Sequence, residues 1–304
     1  MILQDKMAKK IILQQDVIDS IISMYNNDKY STAVIASKVW YSTGFIQGVL
    51  KANGIKSRSL SSACNRIKDM NNIFENINTE QSAYYLGLFF ADGSIKKNSN
   101  CCELKLIEQD RPILSKLSDL IYGIDRTIFI NYKAYSYAGN ANNLYTLKIS
   151  SPEIKSSLIS NGCVSSKSLV LQFPKLQDNL IRPFIRGYFD GDGCITIDTS
   201  KAYKDFKITI TSTNDFCQSL KVIVNAKLNI ECNINDVSSN GITTNLRFGG
   251  NRQVLRFMSW LYEDANYYLE RKHNKYLELQ AWTKLVDTKT TRYQKVVSNT
   301  INHV

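Results

Sequence analysis

Two short segments of this 304-residue chain hold carboxylates in a layout that points to chemistry. They are Tyr85-Leu86-Gly87-Leu88-Phe89-Phe90-Ala91-Asp92-Gly93 and Ile185-Arg186-Gly187-Tyr188-Phe189-Asp190-Gly191-Asp192-Gly193. Each reads as an apolar helix with Gly at the third place, a small residue at the seventh, and then Asp-Gly. A glycine and a small residue four apart on one helix face let a second helix come close, because no Cβ intervenes at Gly. With Gly87 and Gly187 as helix-packing positions, the two C-terminal ends meet and Asp92 lies beside Asp192. Two carboxylates at such range repel each other unless a cation sits between them. Other chemistries have little to work with. Only His273 and His303 are present, and the seven cysteines form no C-x-x-C pair. Neither G-x-x-x-x-G-K-[ST] nor G-x-G-x-x-G occurs, so a nucleotide-cradling loop has no support. Carboxylates and lysines remain.

The elements that must position those aspartates repeat. An apolar helix from Ala83 to Ala91 is followed by Asp92-Gly93, a loop and a strand at 103–107. A helix over 110–122, strands at 127–133 and 144–149, and a helix over 152–160 come next. The order then restarts. Helix 179–190 leads into strands at 194–198 and 206–212, helix 214–226, strands at 229–236 and 242–248, and closing helices through Trp260 and Tyr276. The expected fold is α+β, a duplicated αββαββα arrangement with antiparallel sheets, preceded by a small all-α domain. The expected divisions are 1–56 for that domain, 57–78 for a linker, 79–176 and 177–285 for the two halves, and 286–304 for a tail.

In the N-terminal stretch, Ile11, Ile12, Val17, Ile18, Ile21, Ile22 and Tyr25 recur at helical spacing. Ser31 caps a short helix holding Val34, Ile35 and Val39. Ser42 caps another holding Phe45, Ile46, Val49 and Leu50. Short helix, tight turn, second helix resembles the helix-turn-helix arms of site-specific recombinases and some phage endonucleases. Thr43, Gln47 and Lys51 fall on the outer face, with Lys56 and Arg58 following. The alternative is a helical protein-interaction domain. Lys+Arg number 38 against 27 Asp+Glu, a net charge of +11 that calls for an acidic partner. No apolar run approaches the roughly 20 residues of a membrane span. No signal-peptide core opens the chain, and the cysteines suit a reducing compartment, cytoplasmic or organellar.

The paired segments, about a hundred residues apart with β-rich chain between them, resemble the LAGLIDADG homing endonucleases in their single-chain, two-motif form. The resemblance spans about residues 79–285. It includes Asn161-Gly162 to Lys167-Ser168 with Phe173-Pro174, and Leu261-Tyr262 through Arg271-Lys272. Phe90 departs from it, standing where many members carry an acid that Asp190 keeps in the second motif. The resemblance implies a site-specific double-strand DNA endonuclease, monomeric and dependent on Mg²⁺, with Mn²⁺ able to substitute. Asp92 and Asp192 would bind metal, helped by the backbone carbonyls of Ala91 and Gly191. By position Lys167 and Lys272 are the basic residue of each half, and Gln109 and Asn214 the polar residue after the second strand. Each of these two precedes an Asp expected to cap the next helix. The rival reading is a nuclease-inactive descendant, either an RNA maturase with intron RNA as partner or a DNA-binding regulator.

Alternation splits the strands into core and outer faces. The outer set is Glu103 and Lys105; Lys207, Thr209 and Thr211; Thr243, Asn245 and Arg247; Thr146 and Lys148. Lys96, Lys97, Lys201 and Lys204 in the adjoining loops are phosphate candidates. Apart from Glu103, these side chains can donate to base edges and phosphates. The two halves differ, so the target would be asymmetric.

Overall fold

The computed structural model describes residues 2–4, 10–12, 14–28, 30–56, 70–130, 144–165, 170–198, 204–236 and 243–301. The chain forms two units, Met1–Asp69 and Met70–Val304. Lys167, Lys201 and Arg58 lie outside the described residues.

The first unit opens with a strand pair rather than helix. Strand β1 (Ile2–Gln4) runs antiparallel to β2 (Lys10–Ile12), with Leu3 opposite Ile11 and Ile2 opposite Ile12. Ile11 and Ile12 therefore leave the expected helix. β-Branched side chains lose rotamer freedom on a helix and sit well on a pleated strand. Three helices follow: α1 (Gln15–Asn26), α2 (Thr32–Val39) and α3 (Thr43–Ala52). Ser31 Oγ accepts from Val34 N and Ser42 Oγ from Phe45 N, both at 3.2 Å, so both expected caps form. Between them Trp40 takes φ 60°, the left-handed conformation that ends α2. Ile18, Ile21, Ile35, Phe45, Ile46, Val49 and Leu50 make the core. Thr43, Gln47 and Lys51 are exposed, as the helical period requires.

In the second unit, two halves repeat one order. The first half holds α4 (Glu80–Asp92), β3 (Gly93–Ile95), β4 (Cys101–Ile107), α5 (Arg111–Tyr122), β5 (Ile128–Ile130), β6 (Leu144–Ser150) and α6 (Pro152–Ser160). The second holds α7 (Asp178–Asp192), β7 (Gly193–Asp198), β8 (Asp205–Thr213), α8 (Asn214–Leu228), β9 (Asn233–Asp236), β10 (Thr243–Gly249) and α9 (Asn251–Tyr262). A long helix, α10 (Glu270–Ile301), closes the chain and takes in most of the expected tail. Each half builds a four-stranded antiparallel sheet, ordered β3-β4-β6-β5 and β7-β8-β10-β9. The fold is therefore the duplicated αββαββα arrangement. Strand β3 was not expected: a three-residue run after Asp92 is too short to show alternation. Residues 70–78, expected as linker, belong to this unit. Phe74 is fully buried with its ring 5.4 Å from Phe89, and Asn71 N donates to Ile121 O at 3.0 Å. No helix among the described residues is long and apolar enough to cross a membrane.

Helices α4 and α7 form the axis between the halves. A Cβ built on Gly87 would strike the Phe184 carbonyl oxygen and lie 2.8 Å from Tyr188 N. One built on Gly187 would strike the Tyr84 carbonyl oxygen and lie 3.0 Å from Leu88 N. The obstacles are backbone atoms, which cannot rotate away. Around this seam Tyr84, Tyr85, Leu88, Phe89, Phe90, Phe184 and Phe189 are almost fully buried. Gly187→Ala is expected to cost about 3 kcal/mol of stability in urea unfolding, at the upper end for overpacking. Gly44, with nothing within 4 Å of its built Cβ in α3, is the control. Gly44→Ala should leave stability unchanged or raise it by roughly 0.5–1 kcal/mol.

Candidate active site

The close approach carries the motif aspartates to one place. A Cβ built on Gly191 would collide with Ala91 Cβ and lie 2.7 Å from Asp92 Oδ2. The ends of α4 and α7 therefore abut, with the Asp92 carboxylate against Gly191 and Asp192 next along the chain. Asp92 is half-buried and Asp192 exposed. Asp192 opens on a cleft of about 280 Å³, lined also by Phe90, Ala91, Leu171, Tyr188, Thr211, Ser212, Thr213 and Thr243.

Tyr188, beside Gly187 on α7, orients this carboxylate. Its hydroxyl lies 2.9 Å from Ser212 Oγ and 3.3 Å from the Thr211 carbonyl oxygen. Burial, and then the negative charge of its hydrogen-bond partner Asp192, push the phenol pKa upward. The phenol stays protonated and remains a donor. In the sequence Tyr188 stands only as one residue of an apolar helix. The register shows why Thr211 to Thr213 belong here too. Gly193 pairs with Ile210, so the next residues of β8 run on past the end of α7.

Lys272, on α10, reaches the backbone one residue past Asp192. It is 7% exposed, its Nζ donates to the Gly193 carbonyl oxygen, and it lies 5.1 Å above the Phe189 ring. Burial, with the neighbouring Arg271 charge, lowers its pKa to about 8, against the pull of Asp190. A lysine so tuned can hold or release a proton near neutral pH.

Gln109 and Asn214 do not join the cleft. Gln109 is exposed in the turn Glu108–Asp110 and lines a separate small hollow with Asp110, Asn266 and Tyr268. Asn214 is exposed at the first turn of α8, its Oδ1 3.4 Å from Gln218 Nε2. The expected aspartate caps also differ. Thr213 caps α8, accepting from Phe216 N at 3.3 Å. Asp110 stands at the cap position of α5 but bonds Arg271 Nε at 2.8 Å instead.

Asp190 is the hub of a buried polar network. Its carboxylate accepts from Tyr84 Oη at 2.8 Å, Tyr262 Oη at 2.5 Å and Leu269 N at 2.7 Å. Burial pushes its pKa up to about 6, although these three donors favour the charged form. One turn earlier, Arg186 pairs with Glu80 and donates to the carbonyls of Leu261 at 2.8 Å and Tyr267 at 2.7 Å. The network ties α4, α9 and the start of α10 to α7, and so sets where Lys272 stands. The matching first-half positions, Leu86 and Phe90, are apolar, and Phe90 meets the Phe184 ring edge at 5.1 Å. Tyr262→Phe leaves a buried carboxylate short of one donor. It should lower stability by about 1–3 kcal/mol in a denaturant titration, and an unchanged midpoint would contradict the hub.

On the outer sheet faces, Lys105, Lys148, Lys207, Thr211 and Arg247 are exposed, and Thr209 and Thr243 partly so. Thr146 and Asn245 correct the expectation. Thr146 is fully buried, and Asn245 is 8% exposed, with its Oδ1 accepting from Thr211 Oγ1 at 2.6 Å. Alternation fixes which way a side chain points, not whether longer neighbours cover it. Lys96 and Lys97 are exposed on a loop held by Lys155, whose Nζ donates to the carbonyls of Lys96 at 2.8 Å and Ser99 at 2.7 Å. Lys204 is engaged by Glu278 at 2.8 Å and by the Trp282 ring.

Among the described residues no cluster of three or more His, Cys, Asp and Glu side chains forms a metal cage. The donors at the helix ends are two carboxylates and the carbonyls of Ala91 and Gly191. An all-oxygen set with few protein ligands fits Mg²⁺, which keeps several of its waters.

No curated protein matches the chain. It is similar in outline to the LAGLIDADG homing endonuclease I-LtrWI bound to target DNA, at 13% identity, covering 69% of this chain and 91% of that one, with a TM-score of 0.47. It is likewise similar to I-GzeII in complex with a DNA target, at 12% identity over 71% and 96% of the chains, TM-score 0.45. A third is I-SmaMI bound to uncleaved DNA target in the presence of calcium ions, at 12% identity over 70% and 93%, TM-score 0.45. The family model for the LAGLIDADG-like domain matches residues 179–260, which run from the first turn of α7 almost to the end of α9. That match takes in most of the second half of the core, and the first half repeats its architecture.

Proposed function

We propose that this chain is a monomeric, site-specific endonuclease that hydrolyses both strands of double-stranded DNA, with Mg²⁺ or Mn²⁺ as its metal. The observation that carries this reading is the abutment of α4 and α7, which delivers one aspartate from each half to a shared site. One aspartate from each half suits a substrate with two scissile bonds. Asp92 and Asp192, with the carbonyls of Ala91 and Gly191, would hold the ion. When bound, the ion supplies an activated water and neutralises charge building on the phosphate.

The remaining work falls to the chain's own side chains. Tyr188 keeps Asp192 oriented by donating to it. Lys272, on the Gly193 carbonyl, holds a proton beside the second aspartate and offsets negative charge there. Lys167 is the corresponding candidate in the first half. The outward Lys105, Lys148, Lys207, Thr209, Thr211 and Arg247 face the duplex, with Lys96 and Lys97 on phosphates. In the first unit, α3 would enter the major groove through Thr43, Gln47 and Lys51, with Lys56 and Arg58 along the backbone. That unit lengthens the contact without cutting.

Asp92→Asn and Asp192→Asn should each abolish cleavage of a target plasmid in Mg²⁺ while leaving the melting temperature and most DNA affinity in place. Cleavage at the wild-type rate by either variant would sink the two-carboxylate reading. Binding without any cleavage by the wild type would favour the DNA-binding regulator. A chain beginning at Met70 retains Asp92, Asp192 and Lys272 as well as the Ile73 and Phe74 anchors. It should still cut at high concentration, with weaker binding and a shorter footprint. Identical footprints would assign the first unit to another partner.

A further inference from the structure

Among the described residues, the outer face of the first-half sheet carries a single acid among its lysines. On β4, Cys102, Leu104 and Leu106 point into the core, so Glu103 and Lys105 point outward. Glu103 stands opposite Ser94 on β3 and Lys148 on β6. Three ammonium groups converge on its carboxylate. Lys105 Nζ lies 3.3 Å and Lys96 Nζ 3.4 Å from Oε2, and Lys148 Nζ lies 3.9 Å from Oε1. Glu103 is only 7% exposed although it faces outward, with the three lysines around it. The lysine side chains themselves are 41–49% exposed. Burial alone would raise the carboxyl pKa, but Lys105 and Lys96 hold it below the usual value, so the group is charged.

The second half has no acid at the matching central position; Asp205 and Asp198 sit at the strand ends, 3.6 and 4.0 Å from Lys207. Gly93 pairs with Leu104 and Gly193 with Ile210, which makes Thr209 the counterpart of Glu103 and Arg247 the counterpart of Lys148. A carboxylate at the centre of a surface meant for a polyanion weakens attraction to every phosphate. Non-specific binding draws nearly all its strength from that attraction, whereas specific binding adds contacts to base edges. An acid at this place therefore lowers the first more than the second.

We propose that Glu103 is a specificity-determining residue, an internal counter-ion that occupies Lys96, Lys105 and Lys148 until a matching half-site replaces it. The replacement is chemical. Lysines donate to guanine O6 and N7, and a carboxylate accepts from cytosine N4, so base pairs rich in G·C satisfy both partners. On unrelated DNA the carboxylate is left facing phosphate, a repulsive element that discriminates against the wrong partner. This inference rests on the DNA-binding reading above.

The test compares wild type, Glu103→Gln and Thr209→Glu on a random-sequence duplex and on duplexes selected from a randomised pool. Affinity is followed by fluorescence anisotropy across a salt series. Glu103→Gln should bind the random duplex roughly tenfold tighter near 0.1 M salt, with a salt slope steeper by about one. Its selected sequences should lose cytosine preference in one half-site only. Thr209→Glu should weaken random-duplex binding by about tenfold and leave the first half-site preference intact. Thr209 is partly exposed, so this variant decides the matter even if Glu103→Gln does not fold. Wild type that binds no duplex at all would overturn the DNA-binding reading and this inference together. Wild type that binds, with random-duplex affinity unmoved by either substitution, would overturn this inference alone.

Discussion

The second unit depends on one contact, the backbone-to-backbone approach of two helices at Gly87 and Gly187. Each glycine faces a carbonyl oxygen of the other helix where any Cβ would collide. Because α4 and α7 touch there, their last turns also meet, and Ala91 and Asp92 come against Gly191. The aspartates are thus brought together by packing, and Tyr188 then orients the Asp192 carboxylate. The large aromatic rings around the seam fill the space on either side, so the helices cannot slide without opening voids in a close-packed interior. The site inherits its rigidity from that core.

Around this seam the two halves are alike in architecture and unlike in chemistry. The second motif carries Arg186 and Asp190 where the first carries Leu86 and Phe90. The acid and base on α7 collect Tyr84, Glu80, Tyr262 and the chain entering α10 into one buried network. A half-satisfied network of this kind would be worse than an apolar core, and here Asp190 has three donors. Its consequence is positional, since α10 starts one residue after Leu269, and Lys272 follows in its first turn. The outer sheet faces diverge as well, with a glutamate among lysines in one half and threonine in the other.

Much of this was legible in the sequence because it rests on local rules. The apolar run ending in Asp-Gly, the glycine third in each segment, and the serines before α2 and α3 each have one physical meaning at that spacing. Strand directions followed from alternation. What was not legible depends on contacts distant in sequence. Ile11 and Ile12 fit a helical period, but their pairing with Ile2 and Leu3 decides otherwise. Thr146 and Asn245 point outward and are nonetheless covered. Gln109 and Asn214 were placed by counting from strand ends. The register of β7 on β8 instead puts Thr211 to Thr213 at the cleft, and no single-strand pattern reveals a register. Tyr188 could not be singled out, because only its hydroxyl, at the far side of a buried ring, meets Asp192.

The proposed activity requires Asp92 and Asp192, brought together by the glycine seam, to hold a divalent cation in common. Electron paramagnetic resonance of Mn²⁺, titrated into the full-length protein with duplex DNA, reports that site without relying on cleavage. The account predicts a tightly bound Mn²⁺ population in wild type that is lost or greatly weakened in Asp92→Asn and in Asp192→Asn alike, each variant still folded. Bound Mn²⁺ undiminished in either variant would contradict it.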